Sequence, residues 1–479
     1  MDFYRFRPMD KLLGEHKELE NQSIFFASPE QLNDPMEGYR DFFWSGDQIV
    51  WINLFRHYLR CLDHACFMLM VAGEKGQKLS LDDWLLRAGR DDFPTDLYRK
   101  RFLEVEARFF QDQRIVRLTE GIASVKHPVR RNELLFYLKS AHFAALDSIH
   151  EVNVAQGLMK KVEGQQTGPQ PRPPDENDDY FQLLATIAEN DAALNALFDV
   201  CALMDTQLRL LHQVTNASGT ARENQDFVVV EFPERYIKEI ERLIFPDWYT
   251  ACFMSGCSNS SVWGHYGSNH TGACLIFDSQ EAHGRPYIPL TGYNSASSTS
   301  GPGKERMQME FHPVRYAEGY AKIDFFQSIG RLNSSTLMST WFSDGQGNFS
   351  RCAEPLMTDE EAWRSRYWSS FIGDVVRKTK DWAYELEHRL VLHGSLVDYS
   401  NPAHRVLNYD FASLRGIIFG INTRVQDKIE VMRIIERKCT ENSRATFAFY
   451  QAFYSSKTAS IECAPLSMLQ LSSVGSVTA

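Results

Sequence analysis

A chain of 479 residues with 62 acidic against 51 basic side chains, net charge −11, and 43% hydrophobic and 24% charged residues is composed like an ordinary globular protein, which excludes collagen-like and wholly disordered chains. The length allows two or three domains, or one domain with a large insertion, and a core that needs no disulfides. The acidic balance argues against a broad non-specific coat on DNA, which requires clustered Lys and Arg, yet leaves room for a local basic pocket.

The first block, residues 1–47, is strand-like, with turn punctuation at Asn33-Asp34-Pro35. The second, 48–225, carries helical periodicity: Ile49, Ile52, Leu54, Phe55, Tyr58, Leu59 and Leu62 recur at i, i+3, i+4. Residues 132–142, 181–187 and 191–211 continue that pattern. The run 164–179, with four prolines and no large apolar residue, reads as a mobile loop. In the third block, 226–479, a buried strand is expected at 227–232, then a helix from Pro233 with an apolar stripe at Tyr236, Ile237, Ile240, Leu243 and Ile244. Strands are expected at 250–254, 273–277, 314–316, 388–393 and 416–421, a Ser/Gly loop at 294–303, and a closing hairpin from 445–455 and 460–463. Three short strands cannot make a stable sheet alone. The expected fold is therefore α+β: a small mixed or antiparallel sheet core from 1–47 and 226–479, split by a helical insertion at 48–225.

Nine scattered cysteines, several in apolar runs such as Ala251-Cys252-Phe253, read as buried reduced thiols. The opening MDFYRFRPMDK lacks a signal core, and the longest apolar run, 65–73, is far short of the ~20 residues of a membrane span. A soluble cytoplasmic protein is expected.

Four segments set polar groups among apolar strands. In Phe3-Tyr4-Arg5-Phe6-Arg7, alternation puts Arg5 on the face opposite Tyr4 and Phe6; its partner is a structural carboxylate or a ligand phosphate. Ser28-Pro29 and Asn33-Asp34-Pro35 read as a turn after a strand or as a loop bordering a ligand pocket. Between two apolar strands, Ser255, Trp263, His265, Tyr266 and His270 supply stacking faces and donors suited to a planar ring with a polar edge, although His265 alone also fits a hydrogen-bonded core histidine. Tyr384, Glu385 and Glu387 open a late strand, and two acids two apart share a face of an extended chain. They serve as base and cation stabiliser, or form a solvated edge paired with Arg389 and Lys380. The group His57, Cys61, His64 and Cys66 lacks metal-ligand spacing, and no CxxC, HExxH, Walker, GxSxG or GxGxxG motif occurs; no metal is expected. The basic cluster Lys126, Arg130 and Arg131 reads as a solvated face, so a nucleic-acid partner is not expected.

In this order, Tyr4-Arg5, Phe26-Ala27-Ser28-Pro29, Asn33-Asp34-Pro35-Met36-Glu37, Cys252-Phe253-Met254-Ser255, Trp263-Gly264-His265-Tyr266, His270-Thr271-Gly272 and Trp382-Ala383-Tyr384-Glu385-Leu386-Glu387-His388-Arg389 resemble a bacterial family known as domain of unknown function 2971. Met36 stands where that family usually has an aromatic residue, and Met254 separates Phe253 from Ser255. The helical block is far longer than the family usually carries there. The Arg, Ser and Glu-x-Glu layout is in turn similar to that of ADP-ribosyltransferases. That resemblance implies NAD as substrate, with Arg5 on a diphosphate oxygen and Ser255 orienting the nicotinamide ribose. It further implies Glu387 on a ribose hydroxyl, Glu385 steering the acceptor, and Trp263, Tyr266 or Tyr384 stacking on nicotinamide. Transferase or glycohydrolase activity, as in a defence or toxin effector, is one expectation. The other is a non-catalytic nucleotide sensor whose helical insertion binds a protein partner.

Overall fold

The computed structural model describes residues 1–72, 78–81, 83–159, 180–187, 189–215, 220–297, 301–394 and 397–468. The expected loop at 164–179 lies outside them. The fold is α+β, in two compact units: Met1–Tyr39, Pro246–Ala321 and Ser369–Ala479 form the first, Arg40–Phe245 and Lys322–Trp368 the second.

The first unit is built on a sheet larger than the small core expected. Its eight strands are β1 (Asp2–Arg7), β2 (Trp248–Met254), β3 (Ala273–Asp278), β4 (His312–Pro313), β5 (Glu387–His393), β6 (Leu414–Phe419), β7 (Ala448–Ser455) and β8 (Ser460–Pro465), ordered β4-β5-β2-β1-β3-β6-β7-β8. The pairings are antiparallel except β6 with β7, and β7–β8 is the expected closing hairpin. Alternation along β1 sends Phe3 into a large core with Phe253, Leu275, Phe311 and Ile417, while Phe6 enters a second core with Val262, Trp263 and Ile276 on the other face. Phe3 stacks on Phe311 with centroids 3.7 Å apart.

β1 pairs with β3 along its whole length but with β2 at a single position, Tyr4 opposite Met254. Past that point the two strands fork. Ala27 fills part of the edge that β2 leaves open, exchanging two 2.8 Å hydrogen bonds with Thr250.

Two strand-level expectations are corrected. Residues 294–303 are not a loop: the described ones extend a hairpin of Arg285–Ser297 with Gly301–Glu310, bulged between Tyr293 and Ser295. Ladder pairing holds the described residues of this polar stretch, Ser295–Ser297 against Gly301–Gly303, without an apolar face. Residues 227–232, in the second unit, are not a strand. Phe227–Glu231 is a π-helical turn leading into the helix Phe232–Glu241. The valine run favours β structure locally, but burial decides. Phe232 packs against Tyr58 and Tyr236, and His142 Nε2 donates to the Val228 and Val229 carbonyls at 3.0 and 3.1 Å. Burial pushes His142 down to about 4, so it stays neutral and its Nδ1 accepts from the Tyr58 hydroxyl at 2.7 Å. In the same unit His57 has both ring nitrogens engaged, by Tyr236 Oη at 2.8 Å and the Leu86 carbonyl at 3.2 Å.

Gly272 precedes β3 after three residues, Ser268, Asn269 and His270, with left-handed backbones (φ 51, 53 and 67°). A Cβ at Gly272 would lie 2.4 Å from the Arg7 carbonyl oxygen. Gly272→Ala is therefore expected to lower stability by about 1–3 kcal/mol through backbone displacement. Urea unfolding checks this, and an unchanged midpoint would contradict the close approach.

Candidate functional site

The fork between β1 and β2 leaves main-chain groups without a ladder partner, and buried main-chain groups must be paired. Arg5 meets that need. Its guanidinium, on a residue 6% exposed, donates to the carbonyls of Cys252 (3.2 Å) and Phe25 (3.3 Å) and lies 5.3 Å from the Phe253 ring centroid. Neither hydrogen bond ends on a carboxylate. Burial brings the Arg5 guanidinium down to about 10, with Arg7 adding to the effect, so it remains a cation at neutral pH. Arg7 next to it chelates Glu18 through two hydrogen bonds.

Here the fork opens a cavity of about 180 Å³, walled by Tyr4, Arg5, Asn33, Cys252, Tyr266 and Glu387, among others. It is smaller than the roughly 300–1,000 Å³ of pockets that enclose whole drug-sized ligands, so it suits one end of a larger molecule.

Across from Arg5 the first unit buries five charged side chains together. Arg389, fully buried, is bidentate to Glu37 (2.7 and 2.9 Å) and donates from Nε to Glu387 at 2.8 Å. Lys378 Nζ lies 2.7 Å from Glu385 and 3.4 Å from Glu387, and sits over the Trp382 ring. Tyr266 donates its hydroxyl to Glu385 at 2.8 Å. The Glu387 backbone N–H donates to the Tyr316 hydroxyl at 2.8 Å. The two acids end up with opposite tendencies. Burial works to raise Glu387, but Arg389, Lys378 and hydrogen bonds from Arg389 and Cys252 override it and hold that carboxyl at about 2. Burial raises Glu385, and Lys378 and Tyr266 only partly offset it. A pair pushed apart in this way provides one permanent anion and one better proton acceptor.

The acids do not reach this arrangement on an extended chain, as the spacing suggests. Lys380–Glu385 is a 3₁₀ turn, and Leu386 adopts a left-handed backbone (φ 49°) before β5 starts at Glu387. Lys378, on the strand Arg377–Thr379, receives both carboxylates.

The remaining expected site residues divide. Tyr4, Asn33 and Tyr266 are on the cavity wall, and burial pushes the Tyr4 hydroxyl up to about 12. Asp34 accepts from the Met36 N–H at 2.9 Å, an Asx turn, and lines a smaller cavity that shares Glu37 and Lys378 with the first. Ser28 caps the turn Pro29–Gln31. Ser255 lies off the wall, its N–H and hydroxyl both donating to the Leu386 carbonyl. Trp263 offers no stacking face: it is wholly buried, its indole N–H donates to the Cys257 carbonyl at 2.7 Å, and Phe6 meets it edge-on. His265 and Tyr384 form an exposed pair at 3.1 Å. The His270 ring lies nearly parallel to that of Trp263 with centroids 6.5 Å apart, and its carbonyl accepts from the Asn422 N–H.

Residue spacing did not single out Lys378, Glu37 or Cys252 as site residues. A lysine in the polar run Arg377-Lys378-Thr379-Lys380 carries no sign of burial. Cys252 hydrogen-bonds Glu387, and burial together with that carboxylate keeps it a thiol well above the ordinary value.

Residues 262–390 match the model of a family described as "Protein of unknown function (DUF2971)". The matched stretch includes Tyr266, Lys378, Glu385, Glu387 and Arg389 and excludes Arg5, Asn33 and Cys252. Neither the curated proteins nor the solved structures contain a match to the chain.

Proposed function

We propose that the fork cavity binds the phosphate-bearing end of NAD and that the protein cleaves the bond between nicotinamide and ribose, as an ADP-ribosyltransferase or glycohydrolase. One observation carries this reading: a buried guanidinium whose hydrogen bonds end on carbonyls shares a cavity wall with a carboxylate held ionised. Arg5 would contact the diphosphate with its remaining donors. Glu387 would face the ribose and stabilise the cationic sugar as the C–N bond breaks and its electron pair leaves with nicotinamide. Glu385, the better proton acceptor, would take the proton of the water or acceptor that adds to the sugar carbon. The ADP-ribosyltransferase resemblance and the family match over 262–390 are consistent with this reading.

A second reading, a nucleotide sensor without turnover, draws on the ion pairs themselves. Lys378, Arg389 and Tyr266 already engage both acids, which suits a fixed recognition surface. One experiment separates the two. Incubation with NAD should release nicotinamide in proportion to protein if the first reading holds. NAD recovered intact, with a fold stabilised by about 2.7 kcal/mol at a hundredfold excess over the dissociation constant, supports the sensor. Neither release nor stabilisation would sink both.

A further inference from the structure

Cys257 and Cys463 are 206 residues apart in the chain, yet the first unit sets their sulfurs 3.8 Å from each other. Both are free thiols, half-buried rather than sealed. Cys463 is on β8, where strand alternation puts it on the same face as the buried Ile461. Cys257 is in the turn that leaves β2, and both cysteines pack against the second core, which contains Trp263. That turn is already tied to β8, since the Ile461 N–H donates to the Ser258 carbonyl at 3.2 Å. The Trp263 indole N–H holds the Cys257 carbonyl at 2.7 Å.

The two thiols are not equivalent. The hydrogen bond between them draws Cys257 below the ordinary thiol value, against the effect of burial. The same bond raises Cys463 well above it, and there burial adds to the effect. Cys257 is thus the readier thiolate and Cys463 the donor that holds it.

We propose that Cys257 and Cys463 form a reversible disulfide that pins residues 255–259 to β8. The Cys257 thiolate attacks one sulfur of a small-molecule disulfide, whose S–S bond breaks with departure of a thiolate. Cys463 then gives its proton to solvent and attacks the Cys257 sulfur, expelling the second thiolate. Two protein thiols become one disulfide, and the small disulfide becomes two thiols. The sulfurs must close from 3.8 Å to about 2.05 Å, and there is room for the chain to follow. A Cβ on Gly256 would meet nothing within 4 Å.

The pinned segment braces the candidate site. The Ser255 N–H and hydroxyl donate to the Leu386 carbonyl at 3.1 and 3.3 Å. The Asn259 side-chain amide donates to the Tyr384 carbonyl at 3.3 Å. The residues two before and two after Cys257 therefore hold the carbonyls of both residues that flank Glu385. None of this requires NAD to be the ligand.

Peptide mapping of the full chain after incubation with oxidised glutathione, with remaining thiols alkylated, tests the proposal. The wild type is expected to give a cross-linked Cys257–Cys463 peptide as its main product, returned to two thiols by dithiothreitol. Cys463→Ser keeps a hydroxyl that can donate to Cys257 but cannot displace glutathione. In that variant Cys257 is expected to accumulate the mixed disulfide about tenfold faster than Cys352, which burial pushes up to about 11. Hydrogen exchange in peptides covering 255–259 and 384–387 is expected to slow when the wild type is oxidised and not when Cys463→Ser is. A wild type that yields only glutathione adducts at Cys257, or no reaction there, overturns the disulfide, whether or not the variant folds. Unchanged exchange at 384–387 in the cross-linked protein overturns the bracing of the Glu385 segment.

Discussion

Arg389→Met is expected to be the most damaging single substitution in the first unit, costing about 3–5 kcal/mol at neutral pH. Methionine fills most of the volume but removes the cation that binds Glu37 bidentately and reaches Glu387. Two carboxylates with side chains 1–2% exposed then lose their main counter-charge, and Lys378, already shared with Glu385, is the cation left beside Glu387. The pH dependence identifies the cause. Glu387 is held at about 2 in the folded protein against roughly 4.3 unfolded. A depressed carboxyl contributes stability that is complete above the unfolded value and is lost as pH falls from about 4.3 toward 2. The gap between wild type and variant is therefore expected to be widest at pH 7 and to narrow below about pH 4, where the wild type forfeits the same contribution. Urea unfolding at several pH values measures it; a gap independent of pH would mean that the loss is one of packing rather than charge.

Glu387→Gln is expected to reduce nicotinamide release by about 10²–10³-fold, the range found when one preorganised electrostatic contact to a transition state is removed. The amide keeps the shape and an oxygen for Arg389, while Glu37 still pairs with that guanidinium, so the fold should persist. What disappears is the negative charge. Glu385→Gln is expected to act differently. Because Glu385 is raised above its ordinary value and would act deprotonated in the proposed reaction, the wild-type rate should fall as pH drops through that raised value. The Gln variant should be slow and lack this acid limb. Initial rates against pH for the three proteins are the measurement, and equal rates in wild type and Glu387→Gln would remove Glu387 from the chemistry.

Much of the fold could be read from the residues, because apolar alternation is a local signal. β1, β2, β3, β5 and the β7–β8 hairpin follow from it. The reading failed where tertiary burial overrides local preference. The valines of 227–232 form a π-helical turn because Phe232 and His142 anchor that stretch in the second unit. Residues 294–303 looked like a loop because a ladder of main-chain bonds leaves no mark on side-chain pattern. At the candidate site, the placing of Arg5 on the face opposite Tyr4 and Phe6 followed from strand parity. The shared reach of the two acids to Lys378 did not, since it depends on one left-handed residue, Leu386, that no spacing rule anticipates. The aromatic Trp263 was read as a ligand face because a sequence does not reveal which side of a sheet is already filled.

The position of β1 also governs how the protein is made. Its six residues leave the ribosome well before both its neighbours in the sheet, which come from residues 248–278. At about 5–20 residues per second, the opening strand waits on the order of tens of seconds for them. During that interval Phe3, Tyr4 and Phe6 lack the strands that flank them in the sheet. Arg5 and Arg7, interleaved with these rings, are charges of the kind that interrupt association of exposed apolar segments, so a residue that lines the cavity in the folded chain also breaks up an apolar run in the unfolded one.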